Sequence, residues 1–364
     1  MRTALTRLLG IEHPIIQAPM AGGPTTPALA AAIANAGGLG TLGAAYLAPD
    51  TLRREIAAVR ALTDRPFGIN LFVPETPDVT PKQVARAQAL LNPLRAELGL
   101  PPSPDIPPQA DSFADQLAVV IAERVPVLSF TFGILAEEHL DALRTAGILA
   151  VGTATTVAEG VALERAGVDA IVGQGSEAGG HRGTFAPDAA SAERALVGTL
   201  ALIPQLVDAV RVPVIAAGGI GDGRGLLAAL ALGAVGVQMG TAFLACPESG
   251  AHPQHKAAVL AATDEDSIIT RAFSGRSARG IANHFIEEMR AHEAEVAPFP
   301  VQNALTRDIR QAAARADRGE YLSLWAGQAA RLATARPAAE IVRATVEQAE
   351  RLLRQLGAVD EQSV

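Results

Sequence analysis

Ile15-Ile16-Gln17-Ala18-Pro19-Met20-Ala21-Gly22-Gly23-Pro24 is the stretch on which the fold of this chain turns. Its apolar run is short, unbroken and closed by proline and glycine, the pattern of a strand buried on both faces of a parallel sheet. An open doubly wound sheet would place a G-x-G-x-x-G dinucleotide fingerprint directly after such a first strand. Ala21-Gly22-Gly23-Pro24 lacks that spacing, which argues for a different parallel architecture.

Seven further runs share the character of the first, itself read over Ile15 to Met20: Gly38 to Gly43, Phe67 to Phe72, Val125 to Phe132, Ile148 to Thr153, Asp169 to Gly175, Val212 to Gly218 and Val235 to Gly240. Helical periods lie between them, at Thr51 to Leu62, Ala136 to Ala146, Val157 to Ala166, Ala192 to Ala209 and Leu226 to Leu232. Eight βα units predict an α/β fold, a closed (β/α)8 TIM barrel whose functional groups sit on the loops after the strands. Two stretches break the rhythm. Residues 74–111 are proline-rich (Pro101-Pro102, Pro104, Pro107-Pro108) around one helical segment, Lys82 to Leu98, and residues 247–317 read as further helices and loops. The expected division is a barrel over 1–73 and 112–246, an insertion or cap over the mouth from 74–111 and 247–317, and closing helices over 318–364.

Composition narrows the class of function. The 364 residues are 49% hydrophobic, enough for a large core, and the net charge of −8 comes without any basic run able to neutralise a phosphate backbone, so nucleic acid is not an expected partner. No apolar stretch reaches the roughly 18 residues of a membrane span. The single Cys246 leaves no internal disulfide and no cysteine metal cluster, which suits a cytoplasmic, unprocessed protein.

The chemistry concentrates in Gly173-Gln174-Gly175-Ser176-Glu177-Ala178-Gly179-Gly180-His181-Arg182-Gly183, where five glycines among eleven residues follow the sixth strand and permit close ligand approach. His181 is the catalytic candidate, because a histidine on a loop at a barrel mouth can take a proton from carbon or hydrogen-bond a developing anion at neutral pH. Glu177 reads as a surface loop carboxylate ahead of a second acid or base, and Arg182 as a solvated or loop-bracing charge ahead of a ligand. The seventh strand ends in Ala217-Gly218-Gly219 and the eighth in Gln238-Met239-Gly240-Thr241. Barrels commonly hold a phosphate between these two loops, with Thr241 able to add a hydroxyl donor. Asn70 and Gln174, at the ends of the third and sixth strands, either meet the polar edge of a flat ring or brace their own loops. Lys82, Arg86 and Arg95 are spaced as a solvated helix face, whereas Arg276 and Arg279 leave room for a pyrophosphate clamp.

Taken in order, Gln17 to Met20, Gly68-Ile69-Asn70, Ser129 to Gly133, Gly173 to Gly183, Ala216 to Gly219, Gln238 to Thr241, Phe273-Ser274-Gly275-Arg276, Gln302 to Thr306 and Ser323 to Gln328 resemble the nitronate monooxygenases, formerly called 2-nitropropane dioxygenases. The resemblance spans nearly the whole chain. It implies a metal-free FMN barrel that oxidises alkyl nitronates such as propionate 3-nitronate, and nitroalkanes, with O2 to carbonyl compounds and nitrite. It further implies that Ala18, Pro19, Met20, Asn70, Gln174, Gly179, Gly180, Gly218, Gly219, Gln238, Met239, Gly240 and Thr241 hold FMN while His181 faces the substrate. Thr131 and Phe299 stand where some relatives place a hydrogen-bonding histidine and tyrosine. The same barrel also resembles FMN-dependent enoyl-acyl-carrier-protein reductases and NAD(P)H:quinone reductases. The non-enzyme alternative is a barrel that binds a phosphorylated ligand, for which a titratable His181 would serve no purpose.

Overall fold

A computed structural model describes residues 1–103, 105–107, 112–185 and 189–358. Pro104, Pro108 and Asp111 of the proline-rich insertion, and 359–364 at the end of the expected closing segment, lie outside the described residues.

The strands in chain order are β1 Ile15–Gln17, β2 Gly40–Gly43, β3 Phe67–Phe72, β4 Val127–Thr131, β5 Leu149–Ala154, β6 Ala170–Gln174, β7 Gly180–His181, β8 Val214–Ala217, β9 Gly236–Met239, β10 Ser267–Thr270 and β11 Ala278–Ile281. Eight of them run parallel in the order β1-β9-β8-β6-β5-β4-β3-β2. The two ends meet, because Gln17 N–H donates to the Leu39 carbonyl at 2.9 Å and Leu39 N–H to the Ile15 carbonyl at 2.9 Å. The eight predicted strands are therefore the eight staves of a TIM barrel. Most come out shorter than predicted, trimmed at both ends of the apolar runs, and only the residues trimmed at the C-terminal ends enter the mouth. The predicted helix 192–209 is two helices, Ala189–Arg194 and Thr199–Ala209. Residues 196–198 leave the helix because the loop after β6 docks there, with Ser176 N–H donating to the Val197 carbonyl at 2.8 Å.

Residues 247–317 are not all helices and loops. They contain β10 and β11, which pair antiparallel with each other, and β11 pairs antiparallel with β7 in turn, so that His181 lies in register with Ala278. His181 thus sits on a strand rather than on a free loop.

Above the barrel mouth lies a second apolar core, in which Leu91 and Leu94 of the insertion meet Phe273, Phe285, Leu305, Tyr321 and Leu324. The expected run of closing helices from Arg318 reduces to one. Residues 319–332 supply two 3-10 turns, the first carrying Tyr321 into this second core, and a single helix, Ala338–Ala358, packs back on the barrel helices Gly223–Ala231 and Pro27–Asn35. Arg95 corrects the expectation of a solvated helix face. It is 1% exposed, its Nε donates to Asp308 at 2.8 Å, and its other nitrogens reach Gln88, Asn92 and the Leu305 carbonyl. A buried guanidinium needs every donor engaged, and this one ties the insertion helix Pro81–Glu97 to the helix Arg307–Arg315.

Candidate active site

A cavity of about 1350 Å³ lies at the C-terminal ends of the strands, between the barrel and the second core. Its wall includes Ala18, Pro19 and Met20 after β1, Asn70 on β3, Gln174 on β6, Gly179, Gly180 and His181 beyond it, Gly218 and Gly219 after β8, and Gln238, Gly240 and Thr241 around the end of β9. Sequence candidates scattered over more than two hundred positions therefore converge on one space. Met239 is the exception. Strand alternation turns it away from Gln238 into the main hydrophobic core, where it is 1% exposed, so its side chain does not reach the cavity.

The loop after β8 leaves its backbone bare at the cavity wall: Gly218 and Gly219 adopt φ of 105° and 70°, values that an L side chain rarely takes, so a ligand can approach the main chain closely. Thr241 Oγ1 accepts from Gly327 N–H at 2.9 Å, which leaves the hydroxyl proton free to donate. Glu177 stands beside these loops yet is no surface carboxylate: both its oxygens take the Thr199 N–H at 2.9 Å, so its charge is spent on the N-terminus of helix Thr199–Ala209.

The two amides divide. Gln174 braces its own loop, accepting from Arg182 Nη1 at 2.9 Å and Gly183 N–H at 2.8 Å and donating one amide hydrogen to the His181 carbonyl at 3.1 Å. Arg182 is correspondingly a buried brace, 1% exposed, with guanidinium bonds to the Gln174, Gly175 and Ala195 carbonyls; it is not solvated. Asn70, 2% exposed, donates to Ser129 Oγ at 3.0 Å from a position at the cavity wall.

His181 is surrounded by Phe72, Phe132, Phe299 and Trp325, with ring centroids 6.4, 5.8, 5.8 and 5.6 Å away. Its Nε2 lies 2.9 Å from Ser274 Oγ, which is 3.1 Å from the Arg276 carbonyl and 3.3 Å from the Arg276 N–H. The serine can close this network in two ways. As acceptor from Nε2–H it donates to the carbonyl; as donor to Nε2 it accepts from the N–H. Burial, reinforced by the positive charges of Arg276 and Arg310, pushes the His181 pKa down to about 3, so the ring is neutral at pH 7. Arg276 is held in place by Glu75, by the Arg182 and Thr184 carbonyls and by the face of Phe132, 4.0 Å from its centroid. Arg279 is spent on the Ser176 and Ser267 carbonyls. Neither remains as a clamp for a second nucleotide.

Ser274 and Arg310 carry no role in the sequence reading. Ser274 stands in a quoted motif, but only the β10–β11 turn brings it to His181. Arg310 is one of several arginines on an amphipathic helix, and nothing in its spacing marks it as the one turned toward the cavity.

Comparison with known proteins agrees with this geometry. The family model described as nitronate monooxygenase matches residues 2–348. A probable nitronate monooxygenase of Staphylococcus haemolyticus is 49% identical over 349 residues, covering 96% of this chain and 97% of that protein. One from Staphylococcus aureus (strain Newman) is 46% identical over 97% of this chain and 99% of its own length. Among solved structures, nitroalkane oxidase from Streptomyces ansochromogenes superposes with a TM-score of 0.89 at 41% identity, covering 96% of this chain and 100% of that one. FabK from Thermotoga maritima superposes at 0.77 with 31% identity, covering 99% of each chain. A match of this extent, on a barrel whose mouth gathers the same ordered motifs, places the chain in the nitronate monooxygenase family of flavin-dependent oxidoreductases.

Proposed function

We propose that this enzyme binds FMN in the cavity and oxidises alkyl nitronates with O2 to carbonyl compounds and nitrite, with His181 as its catalytic residue. The observation that carries this reading is the setting of His181: a neutral imidazole in an aromatic box, wired through Nε2 to a serine able to donate or accept, under the positive fields of Arg276 and Arg310. Such a site favours a small organic anion.

The donor set fits FMN. Gly218, Gly219, Gly240 and Thr241 would hold the phosphate, Ala18 to Met20 would pack against the ring, and Asn70 and Gln238 would meet its polar edge, while Gln174 keeps the glycine loop in shape. FMN, when bound, supplies the electron transfer between nitronate and oxygen. The rest falls to the chain. With an anionic nitronate, Ser274 donates to Nε2, placing the imidazole proton on Nδ1 for the ligand oxygens. With a neutral nitroalkane, Ser274 accepts from Nε2–H and Nδ1 can take the carbon-bound proton. A ring whose pKa is pushed so low is a weak base, so the pre-formed nitronate is the better substrate. Phe72, Phe132, Phe299 and Trp325 exclude water from the reacting end. One buried thiol, Cys246, and the absence, among the described residues, of a helix long and apolar enough to cross a membrane accord with a cytoplasmic enzyme.

The test is His181→Asn, measured by oxygen uptake and nitrite release. The variant should keep its flavin and lose about 10²- to 10⁴-fold in turnover of neutral nitroalkanes, the usual worth of a general base, with a smaller loss on pre-formed nitronates. Equal losses on both forms would make His181 a binding group alone, and full activity on both would remove it from the site.

A further inference from the structure

Ser323 to Gln328, one of the ordered motifs, forms an irregular strap along the cavity wall between two 3-10 turns. Its backbone is tied on several sides. The Leu324 carbonyl accepts from Ile281 N–H at 2.9 Å, Ala326 N–H donates to the Arg279 carbonyl at 3.3 Å, Gly327 N–H to Thr241 Oγ1 at 2.9 Å and Gln328 N–H to the Glu177 carbonyl at 3.0 Å. The strap thus joins strand β11 of the cap to the loops after β6 and β9.

Trp325 is the residue of the strap that reaches the reacting end, with its ring 5.6 Å from that of His181 and 5.6 Å from Phe273. Its N–H turns back on the Ser323 carbonyl at 2.9 Å, and its carbonyl accepts from Nε2 of His255 at 3.0 Å. A carbonyl can only accept, so Nε2 of His255 carries a proton. His255 stands in the first turn of helix Pro253–Ala261, and that turn is fixed on its own account. His252 Nδ1 accepts from Gln254 N–H at 3.2 Å, His252 Nε2 donates to the Ala314 carbonyl at 3.1 Å, and Lys256 Nζ donates to the Cys246 carbonyl at 2.8 Å. At 7% exposure, His255 makes its bond to Trp325 away from water, where a carbonyl left without its donor is costly.

We propose that His255 is a positioning residue: by holding the Trp325 carbonyl from a fixed helix end, it sets the indole against His181 and keeps the imidazole in its productive orientation. Phe72 stands at the end of β3 and Phe132 directly after β4, where the barrel itself fixes them. Trp325 rides on an irregular strap and needs a bond of its own. A small misplacement of a reacting group costs turnover more than binding. The assignment rests on the reading of His181 as the catalytic residue.

The experiment compares the flavin-loaded enzyme with its His255→Gln and His255→Asn variants. Glutamine carries an N–H donor close to where Nε2 stands, whereas the shorter asparagine does not reach the carbonyl. Trp325 is the only tryptophan of the chain, so tryptophan emission reports its setting alone. His255→Asn should lower kcat for propionate 3-nitronate about tenfold with KM and flavin content little changed, and should raise the emission and move it to longer wavelength as the indole loosens. His255→Gln should keep the wild-type spectrum and most of kcat. Wild-type kcat or an unmoved spectrum in His255→Asn, or a glutamine variant no better than the asparagine one, would overturn the assignment. Loss of flavin in step with kcat would also overturn it, by making His255 a support of the cofactor loops. Should His255→Asn fail to fold, Gly280→Ala disturbs the same contact with His255 in place, because the added carbon would stand 2.9 Å from the Leu324 carbonyl oxygen and 2.9 Å from Trp325 Cε3. It should reproduce the loss of kcat and the change in emission, and unchanged kcat would overturn the assignment. If the wild type turns over no nitronate, the function reading fails, while the emission of the variants still upholds or overturns the placement of Trp325 by itself.

Discussion

A neutral histidine inside an apolar box has a consequence for stability as well as for chemistry. His181 and His255 both have depressed pKa values, about 3 and about 4, each caused first by burial; His255 is held by the Trp325 carbonyl at 3.0 Å and His181 by Ser274. In the unfolded chain both return toward the ordinary value of 6.5, so between that value and their folded values the unfolded state binds more protons. The stabilisation is complete above about pH 6.5 and is lost as pH falls, with a slope of up to about 1.4 kcal/mol per pH unit for each histidine. Thermal melts of the flavin-free protein should therefore show Tm falling from pH 7 to pH 5, above the range where the carboxylates titrate, and His255→Gln should flatten part of that fall. A Tm independent of pH over this interval would mean that the two rings are not held neutral.

At the scale of elements, the loop after β8 makes the most direct commitment. The left-handed backbone at Gly219, φ 70°, and the nearness of Glu177, whose Cβ would lie 3.4 Å from an added side-chain carbon, leave little tolerance for substitution. Gly219→Val should strain the loop, turn its N–H groups away and lower flavin content at least severalfold, read as the flavin-to-protein absorbance ratio. Unchanged flavin content would remove this loop from phosphate binding. The same scale shows what was legible in advance. The eight barrel strands announce themselves because a strand buried on both faces is a continuous apolar run, and their glycine and proline ends are as local as the signal itself. Strands β10 and β11 did not stand out, although Ser267-Ile268-Ile269-Thr270 carries a β-branched pair, because four residues at a domain edge satisfy helix and strand patterns equally. Met239 and Gln174 illustrate a different limit: position at a strand end predicts nearness to the mouth, but which way Met239 points and what Gln174 bonds depend on packing and partners far along the chain.

For the whole molecule, the proposed site divides between the barrel segments, which carry the glycine loops, Phe72, Phe132 and His181, and the segment after the last barrel strand, which adds Phe299, Trp325, Ser274 and Arg310. The apolar runs made the fold legible, and flavin and nitronate were expected together from the ordered motifs through their resemblance, whereas the contact of Ser274 with His181 and the place of Arg310 at the cavity needed the chain after the last barrel strand folded against the mouth. Here Arg276 and Arg279, the basic residues that could have gripped a second nucleotide, are consumed by Glu75 and by backbone carbonyls. The most direct measurement is stopped-flow absorbance of the flavin-loaded enzyme mixed, without oxygen, with an alkyl nitronate or with NADPH. The proposed function requires rapid bleaching of the flavin band by the nitronate and slow or no bleaching by NADPH; rapid bleaching by NADPH with none by the nitronate would contradict it and make this barrel a reductase.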